Sequence, residues 1–133
     1  MKRQKFGSSS PWEDKVGYSR AIRIGNIIEL SGTVSVDNSN HVVGEGNAYE
    51  QTKFIISKII GYIEKAGGKK EDIVRTRIFV TDISKWEEIG KAHGEYFKDI
   101  KPVTTMVEVK SLISNEYLVE IEATAIISDI TPR

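Results

Sequence analysis

Hydrophobic and polar residues alternate in five segments of the chain, the pattern of β-strands that bury one face. These segments cover residues 18–24, 27–36, 73–80, 103–109 and 118–127. Gly25 and Asn26 separate the first two segments, and glycine at the first position of a two-residue turn is typical of a type II′ hairpin. Residues 42–43 are a candidate for one further short strand. The pattern therefore predicts a sheet of five or six strands.

Apolar residues recur instead with a helical period between Ala48 and Ala66. Asn47 stands before this segment and Glu50 follows three residues later, which predicts a capping box at the start of the helix. The glycines at 67–68 follow the last apolar position and can adopt the left-handed conformation that ends helices. We therefore expect a helix from about residue 48 to residue 66.

A second helix is predicted before Pro102, with Ser84 and Glu87 as its capping box. Its apolar stripe consists of Trp86, Ile89, His93, Tyr96 and Phe97. The order of elements is then ββ(β)αβαββ, an α+β fold with one sheet and two helices on one face. The length suits a single domain, 1–133, in which residues 1–15 are expected to be irregular.

Alternation along the strands predicts an apolar sheet face under the helices and a polar face opposite it. The charged residues of the polar face are Glu29, Arg75, Arg77, Glu108, Glu120 and Glu122. One interpretation is a solvated face with cross-strand ion pairs. The other is a face covered by a second subunit, which Phe79, Met106, Leu118 and Ile126 favour because exposed faces rarely carry so much apolar area. In both interpretations, Arg75 and Arg77 are the expected partners of the glutamates.

Composition removes several classes of function. The 133 residues contain 19 basic and 19 acidic side chains, so nucleic acid is disfavoured as a partner. The absence of cysteine excludes thiol catalysis and disulfides. His41 and His93 lack metal-ligand spacing, so we predict no metal and no cofactor, and we expect His93 to be a packed helix residue. No segment has the pattern of a signal peptide or a membrane span, so a cytoplasmic location and no membrane partner are expected.

Four motifs carry a resemblance to a known family. They are SG at 31–32, VRTRIFVTD at 74–82, PVTTMVEV at 102–109 and VEIEA at 119–123. In these stretches the chain resembles the RidA family, also called YjgF-like or L-PSP endoribonuclease-like, from about residue 17 to residue 127. The resemblance implies a chorismate-mutase-like fold and a homotrimer with small-molecule pockets at the three subunit interfaces.

The resemblance also implies an activity, the hydrolysis of reactive enamines and imines to carbonyl compounds and ammonia. The matched pocket positions are Tyr18, the backbone of Gly32, Thr104, Met106 and Glu120. Glu120 is the predicted catalytic residue, because its carboxylate could hold and polarise the attacking water. The other four are predicted to bind the substrate.

Thr104 departs from the family pattern, since archetypal members have an arginine there that binds the substrate carboxylate. Replacing a charged bidentate donor by one hydroxyl predicts a loss of roughly 10- to 100-fold in affinity or rate. Arg77 is the first candidate to take over the anchoring role and Arg75 the second, and the alternative is that both arginines only neutralise the glutamates. Alternatively the ligand is not an anionic imino acid. There are two alternatives to this activity. One is a noncatalytic metabolite-binding or chaperone-like protein, and the other is an endoribonuclease.

Overall fold

The computed structural model describes residues 1–128, which form one mixed six-stranded sheet with helices. The strands are β1 Arg3–Phe6, β2 Ala21–Ile24, β3 Ile27–Thr33, β4 Ile73–Val80, β5 Val103–Glu108 and β6 Val119–Ile126. The helices are α1 Trp12–Val16, α2 Ala48–Lys65 and α3 Trp86–Phe97, with single 3-10 turns at Lys70–Asp72 and Ile83–Lys85. The strand order is β1-β2-β3-β6-β4-β5, and only β4 and β5 run parallel. The predicted α+β class with a single sheet is confirmed.

Helix α2 follows its predicted bounds closely, but only half of the predicted capping box forms, because the Asn47 amide donates to the Gly44 carbonyl and not to Glu50. The Asn47 side chain accepts a hydrogen bond from the Glu50 amide at 3.0 Å, which satisfies one free donor of the first turn. At the other end, Gly67 has a φ of 97° and the Gly68 amide donates to the Ile63 carbonyl at 2.9 Å. The helix buries Ile55, Ile56, Ile59 and Ile63, which join the apolar side chains of β3, β4 and β6 in one core.

The hairpin β2–β3 also forms at the predicted turn. Gly25 has a φ of 60°, whereas Asn26 has no positive φ, as a type II′ turn requires. Strand β3 ends at Thr33, earlier than expected, and its register against β6 shifts between Leu30 and Thr33. The short strand expected at 42–43 is reduced to an isolated bridge between Val36 and Val42.

The prediction that residues 1–15 are irregular is wrong, because they contain β1 and α1. Strand β1 pairs antiparallel with β2 at the edge of the sheet, and Phe6 packs against the core. Arg3, Gln4 and Lys5 are exposed, so the strand lacks the apolar alternation that identifies an ordinary strand in a sequence. Charged side chains are common on edge strands, where they oppose pairing with other chains.

The start of α3 is also corrected. Ser84 and Glu87 form no capping box, since the Asp82 carboxylate accepts hydrogen bonds from the Ser84 amide at 3.0 Å and from its hydroxyl at 2.6 Å. A 3-10 turn intervenes, and α3 begins at Trp86. Trp86 is 56% exposed and does not join the buried stripe, which consists of Ile89, Ala92 and Phe97.

Candidate functional site

Strand β5 presents its faces the opposite way from the prediction. It runs parallel to β4, with Thr104 beside Thr76, Met106 beside Ile78 and Glu108 beside Val80. These three residues of β5 therefore share the face that α2 and α3 cover, and not the open face. Val103 and Val107 lie on the open face, where they are 55% and 42% exposed. The sequence VTTMVE has apolar residues on both sides, so alternation alone could not orient this edge strand.

The glutamates predicted for the open face have different partners. The Arg77 Nη1 atom lies 3.1 Å from Oε1 of Glu122, so the expected cross-strand ion pair is present. Glu29 accepts a hydrogen bond from the Thr124 hydroxyl at 2.6 Å. Glu108 is not on this face, and its carboxylate accepts from the Ile83 amide at 2.9 Å at the start of a 3-10 turn.

Glu120 lies at the centre of a group that we call the Glu120 cluster, formed with Tyr18, Arg20 and Gly32. Its carboxylate lies directly over Gly32, and a Cβ atom at that position would overlap Oε2 of Glu120. Arg20 donates from Nη2 to the Gly32 carbonyl at 2.6 Å and to the Thr33 hydroxyl at 3.1 Å. The guanidinium also lies 5.7 Å from the ring centroid of Tyr18. The structure thus brings together three of the predicted site residues.

The surroundings of Glu120 change its acidity. Burial raises the pKa of this carboxyl, because the charged form loses contact with water. The Arg20 guanidinium opposes this effect and the Glu122 carboxylate adds to it, and the pKa remains above the ordinary glutamate value. A carboxylate with a raised pKa is a better proton acceptor near neutral pH than an ordinary glutamate.

Arg20 is the residue that the sequence analysis missed. Its own carbonyl accepts from the Ser31 amide at 3.0 Å, which continues the β2–β3 pairing by one step and places the side chain beside Gly32. The register of the predicted hairpin already placed Arg20 close to Gly32. Nothing in the sequence showed that the guanidinium would point towards Glu120 and not into solvent.

Thr104 belongs to a second group, the Thr104 cluster, formed with Thr76 and His93. The Thr76 hydroxyl lies 2.9 Å from Nε2 of His93 and 2.9 Å from the Thr104 hydroxyl, which also donates to the Pro102 carbonyl at 3.2 Å. The imidazole packs on Phe97 with ring centroids 4.6 Å apart, so the expectation of a packed histidine is confirmed. Burial lowers the pKa of His93, which keeps the ring neutral at neutral pH.

The two clusters lie on opposite faces of the sheet. Glu120 pairs with Phe79 on the open face, whereas Thr104 pairs with Thr76 on the helix-covered face, and β4 separates β6 from β5. Two shallow cavities of about 190 and 220 Å³ lie elsewhere, near Lys85 and near Gly67. A single chain therefore does not join Glu120 with Thr104 and Met106 in one pocket.

Arg77 is held on the open face by its ion pair with Glu122, away from Thr104. Among residues 1–128, no three histidine, aspartate or glutamate side chains are grouped closely enough to hold a metal ion. No helix in the same part of the chain has the length and apolar character needed to cross a membrane.

Comparison with known proteins identifies the family. The family model described as endoribonuclease L-PSP matches residues 10–127. An uncharacterised protein of Streptomyces coelicolor is 34% identical over 92% of this chain and 90% of its own, and a RutC family protein of Pyrococcus abyssi is 33% identical over 81% and 84%. The crystal structure of a YjgF/YER057c/UK114 family member from Mycobacterium tuberculosis superposes with a TM-score of 0.85 at 42% identity, covering 95% of this chain and all of that one. The chain therefore belongs to the RidA family, also known as the YjgF or endoribonuclease L-PSP family.

Proposed function

We propose that this protein is a homotrimer that binds a small metabolite between its subunits and hydrolyses an enamine or imine there. The separation of the two clusters supports assembly, because a pocket that uses Glu120 and Thr104 needs residues from two chains. Val103 and Val107 support it as well, since these apolar side chains are exposed on the open face beside the half-buried Phe79. Coverage by neighbouring subunits would bury them.

The observation that carries the proposed reaction is the position of Glu120 over Gly32, half-buried and with a raised pKa. In hydrolysis of an imine, the Glu120 carboxylate takes a proton from water as the oxygen attacks the carbon of the C=N bond. The nitrogen gains protons, the C–N bond of the resulting carbinolamine breaks, and the products are a carbonyl compound and ammonia. Water and imine supply all the atoms of the products and no oxidation state changes, so the reaction needs no redox cofactor.

The substrate is proposed to differ from the archetypal imino acids. Thr104 offers a neutral hydroxyl at the position of the archetypal arginine, and Arg77 is engaged with Glu122 on the other face of the sheet. The uncharged side chain of Thr104 also supports a second candidate function, a metabolite-binding protein without catalysis. RNA cleavage, which the family description names, has less support because acidic and basic residues balance and no matched pocket position is a histidine.

The reaction is tested by following the decay of 2-iminobutanoate, generated in situ by a dehydratase, with and without the purified protein. We expect acceleration that is weaker for this anionic imine than for an uncharged imine and that Glu120→Ala abolishes. Glu29→Ala is the matched control, because it removes another carboxylate hydrogen-bonded on the same face and should leave the rate within about twofold. Absence of acceleration at micromolar protein, for this imine and for uncharged imines, would refute catalysis and favour the binding protein. RNA cleavage that survives purification and is lost in Arg77→Ala would favour the endoribonuclease.

Assembly is tested separately by sedimentation. The 14.9 kDa chain is expected to sediment as a trimer at micromolar concentration. Val107→Lys should dissociate it, because a lysine would be buried among apolar residues of the interface. Ile113→Lys is the control, since Ile113 is 95% exposed outside the sheet. A wild-type monomer would refute the proposed interface.

A further inference from the structure

We propose that His93, Thr76 and Thr104 form a hydrogen-bond relay that makes Thr104 a neutral specificity-determining contact, selecting ligands with an uncharged carbonyl or carboxamide group over ligands with a carboxylate. This inference rests on the proposed pocket and names the class of compound that fits it. It assigns roles to Thr76 and His93, which lie behind Thr104. Both act as positioning residues, because in this proposal Thr104 alone contacts the ligand and the other two bond to it in sequence.

The first support is the burial of Thr76. Its side chain is only 1% exposed, and a buried hydroxyl is costly unless it is hydrogen-bonded. The hydroxyl lies 2.9 Å from both His93 Nε2 and Thr104 Oγ1, so it can donate to one and accept from the other. Valine has nearly the same shape and would fill the position without this cost. The hydroxyl therefore connects the half-buried imidazole to the exposed Thr104.

The second support is that the relay can run in two directions. With a proton on Nε2, His93 donates to Thr76, Thr76 donates to Thr104, and the Thr104 hydrogen points outward. With the proton on Nδ1, the bonds reverse and Thr104 presents only lone pairs. The outward hydrogen bonds the Pro102 carbonyl at 3.2 Å, a long contact that a ligand oxygen can replace. A neutral His93 allows both directions, so Thr104 can accept an N–H or donate to a C=O.

The third support is that neither of the two candidate arginines shares the face of Thr104. None of the ion pairs found in residues 1–128 involves the Thr104 cluster, and Arg75 and Arg77 lie on the opposite face of β4. A carboxylate entering this position would lose its hydration without gaining a charged partner. A carboxamide has the same shape, no charge, and both a donor and an acceptor that match the relay.

The test compares binding of two stable ketones that differ only in this group, 2-oxobutanamide and 2-oxobutanoate, by calorimetry. We expect wild-type protein to prefer the amide by about tenfold, and Thr76→Val to weaken amide binding by about fivefold with little change for the acid. Thr104→Arg should reverse the preference. Thr105→Val is the control, because it makes the same kind of change directly beside Thr104 but on the other face of the sheet.

Each outcome of this experiment either supports the relay or refutes it. Reversal by Thr104→Arg together with selective loss in Thr76→Val supports the relay. A wild-type preference for the acid, or equal losses of both ligands in Thr76→Val, would overturn the relay while leaving the pocket intact. If neither ketone binds to the trimer, the proposed pocket is wrong, and the proposed relay is wrong with it. Circular dichroism of each variant confirms that the fold is retained.

Discussion

Gln51 provides the most specific prediction about how the fold holds the site. It is fully buried in α2, and its side chain bonds two loops. The amide nitrogen donates to the Gly44 carbonyl at 3.2 Å and to the Glu116 carbonyl at 2.9 Å, and the amide oxygen accepts from the Leu118 amide at 2.9 Å. Leu118 stands two residues before Glu120, so this side chain fixes the segment that leads into the Glu120 cluster.

The cost of Gln51→Leu follows from what each partner loses. The Gly44 carbonyl keeps a bond from the Asn47 amide at 2.9 Å, so it is not left unsatisfied. The Glu116 carbonyl and the Leu118 amide lose the partner that the side chain supplied. Leaving two partly buried groups without partners costs about 2–4 kcal/mol, and burying an apolar leucine returns about 1 kcal/mol. The expected net loss is about 2 kcal/mol of unfolding free energy.

Urea unfolding of the wild type and Gln51→Leu measures this difference. Thr52→Val is the matched control, because Thr52 is equally buried on the same helix but its hydroxyl bonds only the Ala48 carbonyl, which the helix backbone already uses. We expect the control to change stability by about 0.5 kcal/mol or less. If both variants lose the same free energy, Gln51 does not tie the two loops together.

Three further predictions concern the two clusters. Gly32→Ala should displace the Glu120 carboxylate and lower imine hydrolysis on the order of 100-fold with the fold retained, whereas Gly61→Ala, with open space around it, should not. Because the pKa of Glu120 is raised, the acidic limb of kcat/KM should lie above the ordinary glutamate range, and a limb at or below that range would contradict this. Because the pKa of His93 is lowered in the folded state, its contribution to stability is complete above the unfolded pKa and is lost as pH falls towards the folded value. His93→Phe should therefore make the unfolding free energy less sensitive to acid as the pH falls below the unfolded pKa of about 6.5, and an unchanged pH slope would contradict this.

The sequence predicted elements whose apolar pattern is strong. Strand β4 was predicted at its observed bounds, and α2 was predicted within one residue of its start and end, since buried strands and amphipathic helices carry clear periods. Strand β1 escaped prediction because an edge strand with exposed charged residues carries no such period. The start of α3 was placed too early because the sequence offered Ser84 as a cap, whereas Asp82 occupies that role in a 3-10 turn.

The candidate site was predictable only in part. The family motifs located Tyr18, Gly32 and Glu120, which the structure brings together. The face of Thr104 and Met106 was not predictable, because it depends on the parallel register of β5 against β4, which the alternation of VTTMVE does not encode. The role of Arg20 was likewise not predictable, because it depends on the direction of the side chain. A charged residue beside a turn points more often to solvent.

The positions of charge around the proposed pocket argue for an uncharged ligand. Arg20 is bonded to the backbone at Gly32, so its charge is fixed beside Glu120, where it opposes the rise of the carboxyl pKa. The guanidinium thus stabilises the ionised form of the proposed base. The charges of the Glu120 cluster then balance, and in the proposed trimer Thr104 of a neighbouring subunit would add none. An anionic ligand would bring an unbalanced charge into a partly dehydrated pocket, whereas a neutral imine would enter without that penalty. The relay behind Thr104 and the location of Arg20 therefore favour the same class of ligand on independent grounds.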